Sequence, residues 1–279
     1  MKELTLQELK QIQLEITDDV MAFCKDNNLK CWIDYGTLLG AVRHKGYIPW
    51  DDDVDAGMLR EDYDKFVPLY NAYAEEQGKH YRAFSPAHDK KWAFPYIKVC
   101  DERTVLYPGG GGAPFAVNLD IFPVDAVPAA EKDRAKKRKT FERLYMLHTL
   151  QTAKGHKPSG SLIRRIAIYG LMAVLRLFPE NYFIRRIDKN AKKKYGADSG
   201  YVHCYVTGRV PGVGCDRQLM STLTELEFEG KYYPAPTGYD TWLTLFYGDY
   251  MTPPPVEKRV TRHDFRAYWR EQEKEKPDA

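Results

Sequence analysis

Four aspartates fall within five residues in the stretch Ile48-Pro-Trp-Asp-Asp-Asp-Val-Asp-Ala-Gly57, and few folds tolerate so much like charge in so short a space. Gly46 and Pro49 break the chain just before it, so residues 50–57 are expected to be extended. On a strand, Asp51, Asp53 and Asp55 would then share one face while Asp52 and Val54 point the other way. Three converging carboxylates repel one another unless a cation neutralises them, and hard oxygen donors select magnesium, manganese or calcium over zinc. An acidic surface turn is the competing reading. The flanking Ile48, Trp50, Val54 and Ala56 favour a strand edge that opens into a cleft. A calcium loop of the EF-hand type is a poor match, since Ala56 and Asp62 stand where that loop places glycine and glutamate.

Asp120 is the second acid of interest, in Val117-Asn-Leu-Asp-Ile-Phe-Pro123, where the neighbours are apolar. A charge in such a run is costly unless paired or bound to metal, so Asp120 is expected to be a ligand or a catalytic base, with a structural salt bridge as the alternative. Asp125 is less favoured. Lys98, in Tyr96-Ile-Lys-Val-Cys100, needs a partner for the same reason unless its stem snorkels to solvent. On the phosphate side, Gly36-Thr37 closes a strand and opens a helix, which can turn backbone N–H groups toward a diphosphate, although a plain helix cap fits equally. Arg43 and Lys45 follow at the end of the same helix as candidate phosphate contacts. No Walker loop occurs, because the glycines at 109–112 lack its lysine.

Elsewhere the pattern is mixed α and β in the first half. Residues 4–28 carry a helical apolar stripe, 30–34 are strand-prone, 35–42 return to helix, and 60–77 are helical again. Residues 92–107 and 116–124 are strand-prone. From 129 to about 195 the chain turns basic and helical, and short strands resume after Gly200. Three parts are therefore expected: a core over 1–128, a basic helical region over 129–200, and a C-terminal part over 201–279 completing the fold. A formal net charge of +3 is too small to indicate nucleic acid, and none is expected as a partner. Five cysteines, odd in number and without a Cys-x-x-Cys pair, fit a reduced cytoplasmic compartment. The start of the chain has no apolar run of signal-peptide length. No Gly-x-Ser-x-Gly elbow or His-Glu-x-x-His helix supports a hydrolase.

Taken together, Asp34-Tyr-Gly-Thr-Leu-Leu-Gly-Ala-Val-Arg-His-Lys-Gly46, the acidic stretch ending at Asp55, Arg60-Glu-Asp-Tyr63 and Leu119-Asp-Ile-Phe-Pro123 resemble the LicD and fukutin-related family of phosphotransferases. So do Phe228-Glu-Gly230, Tyr247-Gly-Asp-Tyr-Met-Thr-Pro-Pro254, Glu257-Lys-Arg259 and His263. The resemblance implies an α+β fold of the nucleotidyltransferase (polymerase-beta) type, a mixed sheet flanked by helices, with the basic helical region as an insertion facing the acceptor. It implies that Gly36, Thr37, Asp53 and Asp55 are the nucleotidyltransferase signature, with Asp120 as third acid and Asp51 as a further metal ligand. Asp53, Asp55 and Asp120 would then be catalytic around magnesium or manganese, with Arg43, Lys45, Lys98, Arg259 and His263 on the substrate.

The implied activity is transfer of a phosphorylated alcohol, most of all phosphocholine, from a CDP-activated donor to a hydroxyl of a glycan such as teichoic acid or another surface polysaccharide. A nucleotidyltransferase using a nucleoside triphosphate and a non-catalytic glycan-binding domain are the alternatives. The basic region combines Lys132, Arg134, Lys136, Lys137, Arg138, Lys139 and Arg143 with Arg164, Arg165, Arg176, Arg185 and Arg186 around the apolar residues 166–175. That apolar run is too short to span a bilayer. It is expected to pack into the protein, with peripheral contact to an anionic membrane, where a lipid-linked glycan would be met, as the alternative.

Overall fold

The computed structural model describes residues 1–109, 112–153, 159–207, 214–261 and 264–271. Its fold is α+β. The chain runs α1 (Leu6–Asp26), β1 (Cys31–Ile33), α2 (Tyr35–His44), β2 (Asp55–Leu59), α3 (Arg60–Glu76), β3 (Tyr81–Phe84), β4 (Ile97–Asp101), β5 (Thr104–Pro108) and β6 (Asn118–Pro128). It continues through α4 (Glu131–Thr152), α5 (Leu162–Leu175), α6 (Tyr182–Lys192), β7 (Asp198–His203), β8 (Cys215–Asp216), α7 (Arg217–Ser221), β9 (Leu223–Phe228), β10 (Lys231–Pro236), α8 (Tyr239–Tyr247) and β11 (Phe265–Trp269).

Helix α1 begins in a capping box, in which the Thr5 side chain accepts from the Glu8 N–H and the Glu8 carboxylate accepts from the Thr5 N–H. Leu9, Ile12, Ile16, Val20 and Phe23 recur at helical spacing and are buried, which seats α1 on the sheet. That sheet has the order β1-β2-β6-β4-β3, and β7 and β8 extend it from the far end of β6. Strand β6 is therefore the hub. It lies parallel to β2 and antiparallel to β4 and β7. Pro123 falls between Ile121, the last residue paired with β4, and Asp125, the first paired with β7, where a missing N–H interrupts neither ladder.

Two expectations are corrected. Residues 50–57 are not one strand: β2 starts only at Asp55, and residues 51–54 are coil. The apolar run at 166–175 is not absorbed by the core either. It forms most of α5, of which only Met172 and Leu175 are buried. No helix among the described residues is long and apolar enough to cross a membrane. Strand β3, which the sequence pattern did not show, is a four-residue edge strand with Ala83 as its only buried residue.

The basic helices are fastened to the core by charge. Arg60 donates to both carboxylate oxygens of Asp125 at 2.7 and 2.9 Å, and to Asp188 of α6 at 2.8 Å. Lys137, one of the basic run, is 1% exposed rather than solvated, with its ammonium donating to the Ala126 carbonyl at 3.0 Å and lying over the Tyr205 ring. Burial, partly offset by Asp125, lowers its pKa from 10.5 to about 8. Between those pH values the unfolded chain keeps a proton that the native state has shed, so stability rises with pH across this window. At pH 7 the buried ammonium is a cost. Lys137→Met should therefore be more stable than wild type at pH 7, and the difference should shrink by about 1–3 kcal/mol as pH rises toward 10. Urea denaturation at several pH values checks this; a difference independent of pH contradicts it.

Candidate active site

The parallel register of β2 and β6 sets Asp55 directly beside Asp120. Helix α2 is stapled to the start of β2 from two sides, since the Asp34 N–H donates to the Asp55 carbonyl at 2.9 Å and the Asp55 N–H donates to the Thr37 hydroxyl at 2.9 Å. Asp34 caps α2 and is itself fixed, its carboxylate accepting from the Tyr35 N–H and from Trp242 Nε1 of α8, both at 2.7 Å. Burial raises Asp34 from the usual carboxylate value to about 6. The next residue, Tyr35, has φ of 43°, a left-handed conformation that a bulky side chain adopts only when its surroundings impose it.

Gly36 is where the helix meets the acids. A Cβ there would stand 2.6 Å from Asp51 Oδ2 and 3.9 Å from Asp55 Oδ2, so glycine permits the close approach. Carboxylate oxygens of Asp51, Asp52 and Asp53 lie within 4.8 Å of one another in the coil before β2. Asp55 is pushed well above the ordinary carboxylate value, by burial first and then by Asp53, Asp120, Asp51 and Asp34. The four predicted ligands, Asp51, Asp53, Asp55 and Asp120, are thus brought together. Coil conformation over 51–54 changes one detail, because Asp52 joins this group instead of pointing away, and it also accepts from the Thr261 hydroxyl at 3.0 Å.

Asp120 accepts from Lys98 Nζ and from Asn118 Nδ2, each at 2.5 Å. Lys98 is its antiparallel cross-strand partner on β4, and the Phe94, Phe115 and Tyr96 rings surround the ammonium at 4.6, 5.1 and 5.3 Å from their centroids. The buried lysine thus finds the partner its apolar strand required. Arg43 is engaged elsewhere: it donates to the Tyr250 carbonyl at 2.6 Å, and burial, followed by repulsion from nearby Arg259, lowers its pKa. Arg259 donates to the Pro254 carbonyl and lies over the ring of Trp50, which immediately precedes Asp51. Lys45 is the exposed, left-handed cap of α2. His263 lies outside the described residues.

The donor set fits a hard divalent cation, being made of carboxylate oxygens gathered close to one another. Sequence reasoning passed over Asp34, Asn118 and Trp242. Asn118 was open to detection, since it sits two residues before Asp120 and so shares its face of β6. Trp242 was not, because its bond to Asp34 spans most of the chain.

Comparison with known proteins bears on this arrangement. Over 285 residues, 96% of this chain and 99% of the relative, the sequence is 30% identical to "Lipopolysaccharide cholinephosphotransferase LicD" of Haemophilus influenzae. The chain belongs to the LicD family. Residues 28–143 match the domain described as LicD/FKTN/FKRP, nucleotidyltransferase domain, and that span holds Gly36, Thr37, Lys98 and all four predicted ligands. Human "Ribitol 5-phosphate transferase FKRP" is 46% identical over 46 residues, 16% of this chain and 9% of that one. Among solved structures, terminal uridylyl transferase 4 from Trypanosoma brucei with bound GTP aligns at 14% identity and a TM-score of 0.23, covering 61% of this chain and 53% of that one, a likeness too slight to bear on the site.

Two outcomes follow for this LicD-family site. Asp55→Asn replaces a buried carboxyl pressed by four others, so the metal-free protein should melt roughly 2–4 °C higher. Differential scanning calorimetry in EDTA measures it, and a lower Tm contradicts the crowding. Gly36→Ala should keep the wild-type circular dichroism spectrum yet lose on the order of a hundredfold in transferase activity, because the acids it displaces must be placed to within about an ångström. Undiminished activity would show that the approach of Asp51 to α2 is irrelevant.

Proposed function

We propose that this chain is a metal-dependent phosphotransferase that moves a phosphorylated alcohol, phosphocholine foremost, from a CDP-activated donor to a hydroxyl of a cell-surface glycan such as teichoic acid or another polysaccharide. The observation that carries the reading is the convergence of Asp51, Asp53, Asp55 and Asp120 at the N-terminal end of α2. It is supported by the relatives, one named a cholinephosphotransferase and another a ribitol 5-phosphate transferase.

In this reading the four carboxylates hold one or two magnesium ions, or manganese. When bound, the metal neutralises the donor diphosphate and the charge on the entering and leaving oxygens. The residues of the chain do the rest. N–H groups at the start of α2, at Gly36 and Thr37, face the donor phosphates. Lys98 and Asn118 hold the Asp120 carboxylate in a single orientation, and Arg43, Lys45 and Arg259 supply positive charge toward the nucleotide, with His263 as a further contact. The bond between the transferred phosphorus and the CMP oxygen breaks as a new one forms to the acceptor oxygen, and the hydroxyl proton passes to one carboxylate of the set. CMP is the leaving group. Residues 129–200 present the acceptor side, and the reaction belongs in the cytoplasm, which suits five buried, unpaired cysteines.

The test is a turnover screen with CDP-choline, CDP-ribitol and nucleoside triphosphates against choline-accepting glycans. CMP release should require both a glycan and magnesium, fall to background in EDTA, return when magnesium is restored, and drop by on the order of a hundredfold or more in Asp53→Asn. Pyrophosphate release from a nucleoside triphosphate would move the assignment to nucleotidyl transfer. Glycan binding without turnover of any donor would leave a non-catalytic module.

A further inference from the structure

Helix α5 is a fourteen-residue element whose only charged members are Arg164 and Arg165. Its C-terminal end is anchored to α4, where Gln151 Nε2 donates to the carbonyls of Leu175, Phe178 and Pro179, and Arg176 donates to the carbonyl of Ala153. Met172 and Leu175 make the buried stripe. On the opposite arc Leu162, Ile163, Ile166, Tyr169 and Val174 are exposed by 70, 81, 62, 43 and 53%, and Leu177 just past the helix by 84%. A continuous apolar face of this kind is rare on a protein that meets only water.

Charge says what covers it. Residues 129–200 contain eighteen Lys and Arg against six Asp and Glu, whereas the whole chain holds 42 and 39, so the rest of the molecule is net acidic. The basic excess is concentrated in the segment that carries the apolar face. At 100° per residue, Arg164, Arg165 and Arg176 fall on the flanks of α5, between its apolar arc and its buried stripe. Arginines so placed reach up to headgroups while the arc below them enters the acyl boundary. The helix is about 21 Å long, too short for a hydrocarbon core of about 30 Å, so it must lie in the plane of the surface. A second copy of the chain suits the face less well, because a twofold pairing through α5 would set basic segment against basic segment.

We propose that α5 is an in-plane anchor that docks this protein on an anionic lipid bilayer through Leu162, Ile163, Ile166, Tyr169 and Val174, with the surrounding bases on the lipid headgroups. The inference is independent of the chemistry assigned to the acidic site.

Flotation of the full chain with vesicles decides it. The wild type should float with phosphatidylcholine vesicles containing phosphatidylglycerol at low salt, stay at the bottom with pure phosphatidylcholine, and lose binding as salt rises. Changing Arg164, Arg165 and Arg176 together to Gln should weaken partitioning roughly a hundredfold and flatten the salt dependence. Ile163→Glu with Ile166→Glu should abolish flotation while leaving Tm and the circular dichroism spectrum as in the wild type, since both side chains are exposed. Failure of the wild type to float on anionic vesicles overturns the proposal. So does unchanged flotation of the Ile163→Glu, Ile166→Glu variant. Sedimentation showing a wild-type dimer that this variant converts to monomer would assign the face to a second copy instead.

Discussion

Repulsion among carboxylates is the constraint around which this molecule is organised. Asp51, Asp53, Asp55 and Asp120 come from two chain segments, and the parallel register of β2 with β6 forces two of them side by side. Left to itself such a cluster would push the strands apart or protonate, and Asp55 shows the strain in its raised pKa. What resists is a set of bonds around them: Thr37 and Asp34 pin the backbone of Asp55, Trp242 pins the Asp34 carboxylate from α8, and Lys98 and Asn118 hold the Asp120 carboxylate. The scaffold absorbs an electrostatic cost and holds the acids in place, so that the proposed cation would find them already assembled, the trade expected of a preorganised site.

Much of this was legible in the sequence, and the reason is physical. Period-3.6 stripes in residues 4–28 and 60–77 and the strand–turn–helix at 30–42 are set by local burial and local turn chemistry, and α1, β1, α2 and α3 appear within a few residues of where those patterns end. Asp120 and Lys98 could each be recognised as charges in apolar strands that needed a partner. That they satisfy one another depends on the β4–β6 register, which no local pattern encodes. The coil at 51–54 is a tertiary override: the four aspartates alternate well enough for a strand, but the loop bends back against Gly36, and Asp52 turns toward Thr261 rather than to the opposite face. Lys137 belongs to the basic run in the sequence, yet burial under Tyr205 makes it a core residue, which no local charge pattern shows. The α5 stripe fits both a packed and a surface-bound helix, so periodicity alone could not decide its environment.

A division of labour follows from the charge distribution. Residues 28–143, the part matched to the family domain, hold the acids and all their described supports except Trp242 of α8, and the basic helices reach this core through the Arg60–Asp125–Asp188 network. An ion network with so little exposure ties the two regions rigidly, because breaking one partner would strand a buried charge. In the proposed reading the acids and α5 are then parts of one body, and a glycan acceptor would meet the cleft at a defined distance from the surface on which α5 docks.

The claim on which the rest depends is that two separate chain segments form one cation site. Electron paramagnetic resonance titration of Mn2+ into the wild type, Asp53→Asn, Asp120→Asn and the double variant tests it directly. A shared site predicts that each single change weakens binding at least roughly tenfold, and that the double variant loses clearly less than the two losses combined. Wild-type Mn2+ affinity in Asp120→Asn, or losses that combine as independent effects, would contradict it.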